Sequence, residues 1–80
     1  STDTRLQFLT DSLSTNPLAP AALNRELDKL ETEMFSKIER IRRANAPEST
    51  LNPEAKKTVV NSLSNDVKII QQKLNRYARG

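Results

Sequence analysis

The sequence predicts an all-α protein: an antiparallel helical hairpin preceded by a short third helix, as one domain over residues 1–80. Three observations predict it. The single glycine is the last residue, so the four prolines (Pro17, Pro20, Pro47 and Pro53) do most of the punctuation. Between Pro20 and Pro47, and again after Pro53, apolar residues recur at three- and four-residue spacing, the period of one helical face. The two apolar series also match when one is read forward and the other backward, as two helices folded back on each other require.

The first helix is expected at about residues 3–14. Leu6, Leu9 and Leu13 share a face, with Phe8 off its centre, and Ser14-Thr15-Asn16-Pro17 ends the segment. A helix this short is not stable in water unaided. It must dock on the hairpin, dock on a partner, or fray.

The second helix is expected at about 20–45. Pro17 or Pro20 can open it, because the first turn does not use the missing N–H. Its stripe is Leu23, Leu27, Leu30, Met34, Ile38 and Ile41. Glu26 and Asp28 come early and Arg40, Arg42 and Arg43 late, as the helix dipole favours. Glu33–Lys37 and Glu39–Arg43 have the spacing of stabilising i,i+4 pairs.

After a loop at 46–52, the third helix is expected at about 53–78. Asn52 is the N-cap, Pro53 the first helical residue and Glu54 the first-turn acid. The stripe is Val59, Leu63, Val67, Ile70, Leu74 and Tyr77, with Lys73, Arg76 and Arg79 towards the end. In antiparallel register Leu23 stacks on Leu74, Leu27 on Ile70, Leu30 on Val67, Met34 on Leu63 and Ile38 on Val59, in the manner of a coiled-coil seam.

Composition narrows the function. Only 35% of residues are hydrophobic, a thin supply for a core and a reason to expect an elongated bundle or a partner. No cysteine or histidine is present, so neither a thiolate nucleophile nor an imidazole base is available. No glycine-rich loop can cradle a phosphate. Glu26, Glu31 and Glu33 read as solvated charge, not as an oxygen cage for a metal. We expect no enzyme activity, no cofactor and no metal. No apolar run reaches the roughly 20 residues that span a bilayer. With no signal-like segment and no cysteine, the expected location is intracellular and cytoplasmic.

What remains suggests recognition. Phe35 lies about 100° from the centre of the second stripe and Ile69 about 120° from that of the third, while Val60 widens the third. These residues receive the first helix, stand as isolated surface apolars, or meet another chain. The expected function is a protein-interaction module: an adaptor, small chaperone or subunit of a larger assembly. It would use a helix-in-groove contact through Leu6, Phe8, Leu9, Leu13, Phe35, Val60 and Ile69. The same face could meet its own copy and make a homo-oligomer. Nucleic-acid binding is the alternative. The formal net charge of +3 includes a cluster at the loop end of the hairpin, Arg40, Arg42, Arg43, Lys56 and Lys57, suited to an anionic partner. Against it stand the scarcity of aromatics for base stacking and the dipole preference that places arginines at helix C-termini anyway. Ser49 and Thr50 in the loop are expected to be open to modification.

Overall fold

The computed structural model describes residues 1–77. It contains three helices and, among the described residues, no strand: α1 (Thr2–Asp11), α2 (Ala19–Asn45) and α3 (Pro53–Arg76). Helices α2 and α3 form the hairpin, and α1 packs back on the N-terminal half of α2.

Local chemistry sets each boundary. Ser1 caps α1, its Oγ accepting from the Thr4 N–H at 3.3 Å. The helix stops at Asp11, earlier than position 14. The Ser12 hydroxyl donates back to the Phe8 carbonyl at 2.8 Å, and the chain continues as turns through Thr15. A hydroxyl that bonds backward in this way competes with the next helical turn. Helix α2 starts with Pro20 in its first turn and ends where Ala46 becomes extended before Pro47. At α3 the Asn52 Oδ1 accepts from the Ala55 N–H at 2.8 Å, ahead of Pro53. Tyr77, expected within the third helical stripe, instead has extended backbone (φ −113°, ψ 109°) as the C-cap. The expected helix end at 78, and Arg79 as its dipole partner, lie outside the described residues.

The core is concentrated at one end. Leu6 and Leu9 of α1, Leu23, Leu27 and Leu30 of α2, Ile70 of α3 and Tyr77 form one buried cluster, with Leu13, Ala22, Met34 and Leu74 against it. Towards the loop only Ala44 and Leu63 are buried. The reason is length: α1 has 10 residues and α2 has 27, so α1 can cover little more than a third of the hairpin. The molecule measures 53 × 17 × 17 Å with a radius of gyration of 16.2 Å, against about 12 Å for a compact chain of this size. No described helix is long and apolar enough to cross a membrane.

Helix α1 is held by modest forces. Arg5 Nε donates to Glu26 Oε1 at 3.1 Å, and Arg76 lies 3.8 Å from Asp3. Opposing these, Asp3 Oδ1 and Thr10 Oγ1 are buried with no hydrogen-bond partner among the described residues, which costs free energy. Its docking rests mainly on Leu6 and Leu9.

Candidate protein-binding face

A helical hairpin has two faces, and here they differ. The first is the one on which α1 lies. Beyond the N-terminus of α1 it continues as a cleft lined by Thr2, Leu30, Glu33, Lys37, Asp66, Ile69, Ile70 and Lys73. Lys37 Nζ crosses it to Asp66 at 3.1 Å. The expected Glu33–Lys37 pair is thereby replaced. The Lys37 side chain is turned into the hairpin groove, only 19% exposed, and finds its carboxylate on α3. Nearer the tip, the loop folds over this same side, because Thr50 and Leu51 share a pocket with Arg40, Ala44 and Val59.

The second face carries neither α1 nor the loop. Phe35 is two residues from both Glu33 and Lys37, hence about 160° around α2 from each. Ile38 lies about 60° from Phe35 on the same flank. On α3, Val60 lies about 180° from Ile69, and Val67 projects within about 20° of Val60. Phe35, Ile38, Val60 and Val67 therefore look out on the opposite side of the hairpin from α1. Phe35 is 59% exposed and Ile38 43%, while Val60 and Val67 are half-buried at the seam.

The residues expected to form one contact surface thus fall into three places. Leu6 and Leu9 are buried in the core, with Leu13 half-buried against it. Phe8 is 62% exposed on the outer side of α1, beside a hollow lined by Asp3, Gln7, Asp11 and Tyr77. Phe35 and Val60 lie on the uncovered face, and Ile69, 43% exposed, lies in the cleft beside α1. The dock for α1 is made from Leu23, Leu27, Leu30, Ile70 and Tyr77; Phe35 and Val60 take no part in that core. Ile38 and Val67 complete the open patch. Both fall in the sequence stripes that face the partner helix, and only their partial exposure distinguishes them.

The loop-end cations are not equivalent. Glu39 accepts from Arg42 Nε at 2.9 Å and Nη2 at 2.7 Å, and from Arg43 Nε at 3.3 Å. The Arg42 hydrogen bonds foremost hold the Glu39 carboxyl down at about 2, and Glu39 in turn raises the Arg42 guanidinium. Two of the five cations are therefore engaged along α2 itself. Arg40 and Lys57 are exposed and Lys56 is half-buried. In the loop, Thr50 is exposed and Ser49 is half-buried, its Oγ accepting from the Leu51 N–H at 3.3 Å. Among the described residues, no group of three or more acidic, histidine or cysteine side chains is arranged to hold a metal ion.

Compared with models of known protein families, with curated proteins and with solved structures, the chain matches none.

Proposed function

We propose that this chain is a non-catalytic protein-interaction module, an adaptor, small chaperone or assembly subunit, which docks a partner on the hairpin face opposite α1. One observation carries the reading. Phe35 and Ile38 stand exposed beside Val60 and Val67 on the face that neither α1 nor the loop covers. Four apolar side chains grouped at a helix–helix seam are the kind of anchor that helix-in-groove recognition uses. A partner helix laid there would complete for the loop half of the hairpin what α1 supplies at the other end.

Placing a photo-crosslinking residue at position 35 and another at Phe8, on the outer side of α1, tests this reading in the native cell. It requires discrete adducts from position 35, lost when Ile38 is changed to Asp. Equal labelling from positions 35 and 8, or none from 35, rejects the face. The second reading, nucleic-acid binding through Arg40, Arg42, Arg43, Lys56 and Lys57, is weakened by the hold of Glu39 on two of the five. Retention on an anionic column that falls sharply when those five are neutralised would favour it instead.

A further inference from the structure

We infer that the occupant of this face is an amphipathic helix whose apolar stripe is flanked by acidic residues, lying with its acids along α3. The inference rests on reading the Phe35 face as a docking surface and adds the chemistry of what docks there.

Charge is distributed to suit it. Residues 34–68, the half of the hairpin that α1 leaves uncovered, hold seven Lys and Arg against four Asp and Glu. The remaining residues hold six of each, so the whole formal net charge of +3 belongs to the uncovered half. Two of the four acids are turned away from α3's open flank; Glu48 is in the loop, and Glu54 lies on α3 about 40° beyond Lys68, further from Val60 and Val67. Asp66 is on the α1 side, joined to Lys37, and Glu39 on α2 is occupied by Arg42 and Arg43. On α3, Lys57 and Lys68 are exposed, within about 20° of each other around the helix and about three turns apart along it. They border Val60 and Val67 on the outer side. A helix of about three turns would place Leu- or Phe-like side chains on Phe35, Ile38, Val60 and Val67, and carboxylates within reach of both lysines. Burial of apolar area supplies affinity, and the cationic rim supplies direction and discrimination.

The test titrates the full 80-residue chain with three synthetic helical peptides and one single-stranded oligonucleotide, followed by amide chemical shifts. The peptides share a length of about 14 residues and a Leu stripe. One has Glu flanks, one has Lys flanks, and the third has Glu flanks with the stripe changed to Ser. The expected result is that the Glu-flanked stripe peptide shifts residues around 35, 38, 60 and 67 and binds about tenfold or more tightly than the Lys-flanked one. Lys57→Glu with Lys68→Glu should remove or invert that preference without changing the helical content. Equal binding of both stripe peptides at this face would keep the docking face and overturn the acidic partner. Shifts confined to α1 or the loop tip, or no binding by any peptide, overturn the inference. So does displacement of the acidic peptide by the oligonucleotide, or concentration-dependent shifts of the same four residues in the protein alone, which would assign the face to a second copy. Position-35 crosslinking in the cell then tells whether the docking face itself survives.

Discussion

Arg5 of α1 and Glu26 of α2 meet at 3.1 Å, and Lys29 approaches the same Glu26 oxygen at 3.4 Å. The hydrogen bond from Arg5, foremost, lowers the Glu26 pKa below its ordinary 4.5. A carboxyl whose pKa is depressed in the folded state adds stability that is present above its unfolded pKa and lost as the pH falls through the folded one. The docking of α1 should therefore weaken below pH 4.5. Tyr77, the single tyrosine, sits in the core beside α1 and reports on it. Its near-UV dichroism should decline on acidification ahead of the far-UV helix signal, and Glu26→Gln should flatten that dependence. Coincident loss of both signals would mean that α1 and the hairpin melt as one.

Truncation should hurt at one end and not the other. Leu27 is buried in the shared core, so Leu27→Ala should cost about 2–5 kcal/mol in denaturant unfolding. Ile38, in the same sequence stripe but 43% exposed, should cost less than about 1 kcal/mol when changed to Ala. Equal costs would show that the loop half is as well covered as the α1 half.

Phe35→Asp should stay within about 0.5 kcal/mol of the parent protein in stability, because the side chain is 59% exposed and outside the core. Binding of any partner on that face should be abolished. A cooperative collapse of the helical signal in this variant would instead make Phe35 a core residue.

Asn52→Ala removes the side-chain cap of α3 and leaves the Ala55 N–H without its acceptor. A loss of about 0.5–2 kcal/mol is expected from thermal or urea melting, with Asn52→Asp close to neutral.

Much of this fold was legible in the spacing of leucines and the placing of prolines. Leu23, Leu27, Leu30, Leu63 and Ile70 are buried where the helical period puts them, and Asn52-Pro53 opens α3. The face taken by α1 was not legible. Phe35 and Ile69 both lie off their stripes by a similar angle, but in senses that place them on opposite sides of the hairpin. An angular distance without its sign cannot separate the two grooves, and a single short stripe on α1 fits either. The Lys37–Asp66 pair was missed for a related reason: the local i,i+4 rule supplied Glu33, and only the packed hairpin brings Asp66 closer.

Tyr77 shares its core with Leu6 and Leu9, residues from the far end of the sequence. This has a consequence for the order of events in folding. Closure of α2 on α3 needs only the short 46–52 loop, and such local contacts form early and fast. The site for α1 on Leu23, Leu27 and Leu30 is incomplete until α3 has set Ile70 and Tyr77 beside them. The first helix in the chain should therefore be the last to settle, and in reverse the first to leave. Partial unfolding should release a detached α1 from a hairpin that is still intact.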